Sequence, residues 1–245
     1  MVMMNKMLLR SSEFLQNQLY FDRPFKQLFI TLSPTLASQI KDMYATHHLH
    51  LRDAKLKFGK VEEEIMSYRA FLLKLDSFLP KPILTPRKKL SARMITEIDL
   101  SLLSLADKSM IPKEMTFSKF ARQIYPRLNR QVTTTFNPAF LFTEFISIIK
   151  GHESIILGDT GYLRLEEYTT LSDSRNSILT SEERETVYKA WRVYEKYKNE
   201  NHELDIADIT FMIYRQLLTN EPLLRNIMVD CLYVDEVSPF SCISG

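Results

Sequence analysis

Apolar residues recur along the chain in two patterns, one typical of short strands and one typical of amphipathic helices. Compact apolar runs at 26–31 and 231–234 are rich in β-branched and aromatic residues, which predicts a buried strand near each end of the chain. The first run is followed by Ser33 or Thr35 as a candidate N-cap and by apolar residues at helical spacing. The chain is therefore expected to begin and end with α/β elements.

Between these strands the spacing of apolar residues is helical. It predicts an amphipathic helix over 62–78 and, from about 111 to 200, helices and loops without a convincing strand. Asn137 is placed to cap a helix that runs to Lys150, and 180–183 form a capping box before another helix. That last helix has an apolar face whose spacing favours a buried core over a base-stacking platform. The residues of this face are Val187, Trp191, Tyr194 and Tyr197.

A further helix is expected to start near Asp205, with Asp205 or a neighbouring residue as its cap, and to lead to the terminal strand. We therefore expect a helix-rich α/β protein with three parts. Residues 1–104 form the first α/β portion, 105–200 a helical insertion, and 201–245 the return to the sheet.

The composition is that of an ordinary globular protein and limits the possible partners. The 245 residues are 45% hydrophobic and 25% charged, with a formal net charge of +2, which is too small to indicate nucleic acid or an acidic partner by itself. No stretch approaches the roughly 18 apolar residues of a membrane span, and the start lacks a cleavable leader pattern. Cys231 and Cys242 form neither a metal-ligand spacing nor a disulfide framework. The expectation is an intracellular protein, nuclear or cytoplasmic, without a membrane partner.

The second apolar run ends in two adjacent carboxylates, Asp235 and Glu236. At the C-terminal end of a buried strand, one carboxylate can hold Mg²⁺ while the other accepts a proton from an attacking water, as in P-loop nucleotidases. A strand end followed by two surface acids is the alternative interpretation. Earlier in the chain, a basic run at 87–89 follows a proline-interrupted segment; it is either a solvated helix start or a nucleic-acid contact.

Four segments, taken in order, resemble motifs of the UvrD/Rep-type superfamily 1 helicases. The likeness is strongest to the eukaryotic branch found in large proteins with tetratricopeptide (TPR) and ankyrin repeats. Residues 28–36 resemble motif Ia and 83–90 the motif Ib region, while 204–209 resemble the helix start before motif II. Residues 233–237 resemble motif II itself.

The resemblance implies a partial P-loop NTPase (RecA-like) parallel sheet with a large helical insertion like subdomain 1B, and ATP and Mg²⁺ as cofactors. It implies that Asp235 coordinates the metal and that Glu236 is the general base. Single-stranded nucleic acid would be the partner. The residues implied to contact its backbone are Thr31, Ser33, Thr85, Arg87, Lys88 and Lys89.

The sequence departs from the helicase pattern at two points. Ser238 and Pro239 stand where the family continues motif II with Gln and Asp, and no G-x-x-x-x-G-K-[ST] motif occurs. The expectation is thus a truncated helicase-like ATP-binding domain that is inactive by itself. The alternatives are a non-enzymatic α-helical interaction module and a single-stranded nucleic-acid-binding protein. If the chain is such a helicase-like ATP-binding domain, the strands at 28–31 and 231–235 must lie in one parallel sheet.

Overall fold

A computed structural model describes most of the chain and divides it into two compact units. We call residues 1–110 with 216–245 the sheet unit and residues 111–215 the helical unit. The domain boundaries expected at 104 and 200 remain predictions. The described residues are 2–16, 24–47, 61–84, 114–132, 136–171 and 179–235.

Helices dominate the described residues, and three strands complete the architecture. Two of the helices include a π-helical turn, in α4 and α5. The elements in chain order are α1 (Val2–Gln16), β1 (Phe25–Thr31), α2 (Pro34–His47), β2 (Val61–Ser67), α3 (Tyr68–Phe78), α4 (Phe117–Lys119, the π turn Phe120–Ile124 and Tyr125–Gln131), α5 (Pro138–Thr143 and the π turn Glu144–Ile149), a 3₁₀ helix (Glu153–Leu157), α6 (Leu165–Thr169), α7 (Ser181–Asn201), α8 (Ile206–Leu218), α9 (Glu221–Ile227) and β3 (Cys231–Asp235).

The three strands form one parallel sheet in the order β2-β1-β3. β1 is the central strand, and its residues 27–31 are buried. On one face, Phe29 packs with Met4 and Met7 of α1, Tyr44 of α2 and Ile65 of β2. The expected helix-rich α/β class and the expected pairing of the first and last strands are thus confirmed.

The prediction of a single helix over 62–78 is wrong, because 61–67 form β2 and the helix begins only at Tyr68. Glutamates favour helices in isolation, but parallel pairing with β1 decides this segment. The Glu63 carboxylate accepts hydrogen bonds from the hydroxyls of Ser11 and Tyr44. The Glu64 carboxylate pairs with the Lys74 ammonium. Tertiary partners therefore override local propensity here.

A buried amide connects α1 to two strands of the sheet. Gln27 is 1% exposed, and its Nε2 donates to the Met7 carbonyl at 3.1 Å and to Ser11 Oγ at 2.7 Å. The Tyr233 hydroxyl donates to Gln27 Oε1 at 2.7 Å. Burial, with Cys231 beside it, raises the pKa of Tyr233 to about 12, so this donor keeps its proton at neutral pH.

The helical unit is built around an aromatic core. The Phe120 ring lies 5.2 Å from that of Phe142, 5.8 Å from Phe145 and 5.6 Å from Tyr194, centroid to centroid. These rings come from α4, α5 and α7, so the stripe on α7 is core, as its spacing predicts, although Tyr197 at its end is only half-buried.

Each π turn is closed by a backbone hydrogen bond between residues five positions apart. In α4 the Tyr125 N–H donates to the Phe120 carbonyl, and in α5 the Lys150 N–H donates to that of Phe145 at 3.1 Å. Phe120 and Ile124 stay buried through the α4 turn, as does Leu128 one turn later. The wide turn therefore preserves one continuous apolar face.

Helix ends follow the side-chain caps predicted from the sequence. Asn137 Oδ1 accepts the Phe140 N–H at 2.8 Å at the start of α5. Thr180 and Glu183 form a reciprocal capping box at the start of α7. α7 ends at His202, whose φ of 53° lies in the left-handed region that usually favours glycine.

Two buried lysines surround one buried aspartate in the helical unit. Asp205 Oδ2 lies 2.8 Å from Lys150 Nζ and 2.5 Å from Lys198 Nζ. Both ammonium groups also contact Asp208, and both pair with Glu195 Oε1, at 3.1 and 2.9 Å. Their side chains are at most 3% exposed and that of Asp205 is fully buried. We call these five residues the Asp205 cluster.

The Asp205 cluster shifts the pKa values of Asp205 and Lys150 in opposite directions. Burial alone would raise the pKa of Asp205, but the Lys150 and Lys198 ammonium groups outweigh it and hold that pKa below its ordinary value. Burial alone would lower the pKa of Lys150, yet Asp205, Asp208 and Glu195 hold it above its ordinary value. Asp205 Oδ1 also accepts the Asp208 N–H at 2.9 Å, so the same carboxylate caps α8.

We expect Asp205→Asn to lower the free energy of unfolding by about 3 kcal/mol, because both buried ammonium groups lose the fully buried negative charge between them. Urea unfolding followed by tryptophan fluorescence measures this, since Trp191 lies on the neighbouring α7. The control is Glu195→Gln, at a side chain 20% exposed, with an expected loss below about 1 kcal/mol. Equal losses in the two variants would contradict a central role for Asp205.

The contribution of Asp205 to the free energy of unfolding should depend on pH within a defined range. Because its pKa is lowered on folding, the stability it adds is fully present above the unfolded value of about 3.9 and is lost as pH falls below it. The raised pKa of Lys150 adds stability below about 10.4 that is lost at higher pH. The stability difference between wild type and Asp205→Asn should be constant from pH 5 to pH 9 and narrower by about 1 kcal/mol at pH 3. A difference that does not change at pH 3 would refute the assignment.

Candidate functional site

The three parallel strands end at one edge of the sheet, and polar residues occupy their last positions. Thr31 ends β1, and its register partners are Ser67 at the end of β2 and Asp235 at the end of β3. Residues opposite each other in a parallel ladder point to the same face. The carboxyl edge of the sheet therefore presents two hydroxyls and one carboxylate in a row.

The Thr31 hydroxyl is buried without a hydrogen-bond partner among the residues that the structure describes. Thr31 is 1% exposed, whereas a buried hydroxyl normally has a partner. Ser67 is different, because its Oγ accepts the Ala70 N–H at 3.2 Å and caps α3. Of the two hydroxyls in the row, Thr31 has the free capacity to bind a ligand atom.

A helix N-terminus adjoins the same edge. α2 begins three residues after β1 ends, and Ser33 Oγ accepts the Leu36 N–H at 3.2 Å as its cap. α2 has no acidic residue in its first turn, so the positive end of its dipole is not neutralised locally. Pro34 has no N–H, and the Leu36 and Ala37 N–H groups are bonded to Ser33, so of the first three residues only Thr35 has an N–H without an intrahelical acceptor. Ser33 itself is exposed.

Asp235 is half-buried and lies on the face that α1 and α2 cover. Tyr233, two residues earlier on β3, packs against the cluster formed by Phe29, Tyr44 and their neighbours, and side chains two apart share a face. Thr31 shares that face with Phe29 by the same spacing. The carboxylate, the buried hydroxyl and the start of α2 are therefore on one side of the sheet, which combines oxygen donors of the kind that hard cations prefer with a helix start of the kind that binds anions.

Several predicted site residues lie outside the described part of the chain. These are Glu236, Thr85, Arg87, Lys88 and Lys89. Their roles, and the contact of Thr31 and Ser33 with single-stranded nucleic acid, stay predictions.

The structure identifies one anchoring residue that sequence reasoning missed, just before the basic run. The Asp76 carboxylate of α3 is fully buried, and it accepts the N–H groups of Ile83 at 2.6 Å and Leu84 at 3.0 Å. The chain that leads to Thr85 is therefore fixed by α3. The signal for this role was a single aspartate on the otherwise apolar face of a helix.

A second group of carboxylates does not form a metal centre. Glu195, Asp205 and Asp208 place oxygens within 4.8 Å of one another. The Lys150 and Lys198 ammonium groups already contact all three carboxylates, so the positive charge that a cation would supply is present.

Among the helices that the structure describes, none has the length and apolarity needed to cross a membrane.

Comparison with known proteins gives one partial likeness. The chain is 28% identical over 127 residues to the human TPR and ankyrin repeat-containing protein 1. The match covers 52% of this chain and 4% of the length of that protein. No family model matches the chain. No solved structure matches it either.

These comparisons contradict the identification of the chain as a fragment of a UvrD/Rep-type superfamily 1 helicase. No helicase family model matches, and the protein that does match is named for its TPR and ankyrin repeats. The four segments behind the resemblance are short, and strand ends and helix starts of this composition arise in any parallel α/β sheet. What the comparisons support is a partial likeness to a repeat-containing protein.

Proposed function

We propose that the sheet unit binds a magnesium-complexed nucleotide of the ATP class at the carboxyl edge of its sheet, and that the chain does not hydrolyse it unaided. The observation that supports this most directly is the register pairing of Asp235 with Thr31, whose hydroxyl is buried without a partner in the described residues. In open parallel sheets, ligands bind outside the carboxyl ends of the strands. The proposal rests on this edge and on no family assignment.

The donor set suits Mg²⁺ better than a softer metal. Asp235 supplies one carboxylate and Thr31 one hydroxyl, both hard oxygen donors. Magnesium is usually held by one or two carboxylates, together with water and the phosphate oxygens of the ligand. When bound, the ion would neutralise charge on those oxygens. The role of Asp235 is to fix the ion at the end of β3.

The start of α2 would receive the phosphate. Its first turn has no acidic residue and begins three residues after Thr31, so an anion next to Asp235-bound magnesium would lie within the field of the helix dipole. The sequence has no G-x-x-x-x-G-K-[ST] loop to add further N–H donors and a lysine. We therefore expect weak binding without turnover, with Glu236 as the base only if a partner completes the phosphate contacts.

We expect Asp235→Asn to weaken binding of a fluorescent ATP analogue about tenfold or more in the presence of Mg²⁺, because one negatively charged ligand of the ion is lost. Titration by fluorescence anisotropy measures this, and chelation of Mg²⁺ should abolish the difference between variant and wild type.

Asp230→Asn is the matched control, since Asp230 precedes β3 at the opposite end of the strand. Its Oδ2 accepts the Lys26 N–H at 2.9 Å, and asparagine keeps that acceptor. Equal weakening by both variants, or binding that is insensitive to chelation, would refute the site. Hydrolysis by the purified chain that Glu236→Gln abolishes would refute the claim of no turnover.

We expect Thr31→Val to raise the free energy of unfolding by about 0.5–1 kcal/mol while weakening nucleotide binding, because it removes a buried hydroxyl without a partner. Thr143→Val is the comparison, since that hydroxyl donates to the Ala139 carbonyl at 2.9 Å and its loss should destabilise. Urea midpoints and the same titration measure both effects. Marked destabilisation by Thr31→Val would mean that the fold itself uses this hydroxyl.

A further inference from the structure

The outward face of α4 in the helical unit presents three arginines, about one per helical turn. Arg122, Arg127 and Arg130 are all exposed. Arg122 and Arg130 each follow a buried residue of α4, Phe120 and Leu128, by two positions, an offset that places side chains on opposite faces of a helix. Because a π turn is closed between residues five apart, the π turn of α4 places Arg122 and Arg127, which are five residues apart, on the same side of the helix. We call this surface the arginine face.

No carboxylate of the described residues pairs with the arginine face. The sequence from Met115 to Thr143 contains no Asp or Glu, and none of the three guanidinium groups makes an ion pair within the described chain. Lys119, on the same helix, does pair with Glu203 at 2.6 Å. The positive charge of the arginine face is therefore left for a partner to neutralise.

The exposed cations of α7 provide a contrast. Lys189 pairs with Glu185, and Lys196 with Glu200, each one turn away on the same helix. Such pairs are the usual way in which a solvated helix balances its charge. α4 lacks this pattern, so its arginines are not explained as an ordinary solvated face.

One of the arginines is also held in place. The Arg127 guanidinium lies 5.7 Å from the centroid of the Tyr197 ring, within cation–π distance. Tyr197 is on α7, so the packing of the two helices positions this side chain. A guanidinium that is already ordered loses less rotamer entropy when it binds a carboxylate.

We propose that the arginine face docks an acidic helical segment of a partner protein, with carboxylates about one turn apart. Guanidinium groups bind carboxylates through two parallel hydrogen bonds, which a lysine cannot form. A surface with one cation per turn is matched in spacing by a helix with acidic residues at i, i+4 and i+7. This proposal is independent of the nucleotide site on the sheet unit.

The structure favours such a segment over a nucleic acid. Binding of single strands usually combines charge with exposed rings on which bases stack. Here Phe120 and Tyr194 are fully buried, and the half-buried Tyr197 ring lies against the Arg127 guanidinium. The described part of the helical unit has no excess of lysines and arginines over carboxylates, so the positive charge is confined to the arginine face. A short acidic segment can be matched by such a local face, whereas a long polyanion would extend beyond it.

The test uses the full chain and a fluorescein-labelled helical peptide with glutamates at i, i+4 and i+7, followed by anisotropy at low ionic strength. We expect binding that is lost when the peptide glutamates become glutamines. The triple variant Arg122→Gln, Arg127→Gln, Arg130→Gln should weaken binding about tenfold. The matched control Lys189→Gln, Arg192→Gln, Lys196→Gln removes the same charge from exposed positions of α7 and should change affinity less than about twofold.

Charge reversal keeps the result interpretable if a variant has altered stability. Arg127→Glu with Arg130→Glu should bind a peptide with lysines at the same three positions, which a damaged protein would not do. Equal weakening by the two triple variants would overturn the proposal, because it would show only a general charge effect. Tighter binding of a single-stranded oligonucleotide of equal charge, lost in the arginine triple variant, would assign the face to nucleic acid instead.

Discussion

The helical unit depends on the neutralisation of charge in its interior. Lys150 ends α5, Lys198 lies in the last turn of α7 and Asp205 caps α8, so one carboxylate joins three helices. Each of these charged side chains would be costly to bury alone, and removal of one leaves the others as buried charges without a neutralising partner. Hydrophobic packing of Phe120 and its neighbours supplies area, but it does not fix helix ends. The Asp205 cluster supplies that specificity.

The sheet unit manages buried polar groups in two opposite ways. At the amino end of β1, Gln27 has partners on α1 and β3, and the network fixes how these elements pack. At the carboxyl end, Thr31 is buried without a described partner. A satisfied network is explained by the fold, while an unsatisfied hydroxyl costs stability and needs another explanation. The two ends of one strand thus differ: a hydrogen-bond network fixes one end, while the other carries the hydroxyl at which we propose that a ligand binds.

The sequence alone was sufficient to predict those features that depend on residues close together in the chain. Apolar runs located β1 and β3, and caps such as Asn137 and Thr180 located helix starts, because both depend on residues close in the chain. β2 was missed because its glutamates favour a helix, and their actual partners are distant in sequence: Glu63 accepts hydrogen bonds from Ser11 and Tyr44, and Glu64 pairs with Lys74. The Asp205 cluster was missed because isolated lysines are normally solvated. Asp235 could be proposed from sequence; its pairing with Thr31 needed the sheet register.

The π turn in α4 has a consequence for chain length. A π turn contains one residue more than the α-helix around it, and such turns can originate as single-residue insertions. A homologue one residue shorter between Phe120 and Tyr125 would regain regular α geometry there. Arg122 and the equivalent of Arg127 would then be four residues apart, still on one face, and the buried face would remain continuous. α4 can thus gain or lose one residue at this turn while both of its faces keep their alignment.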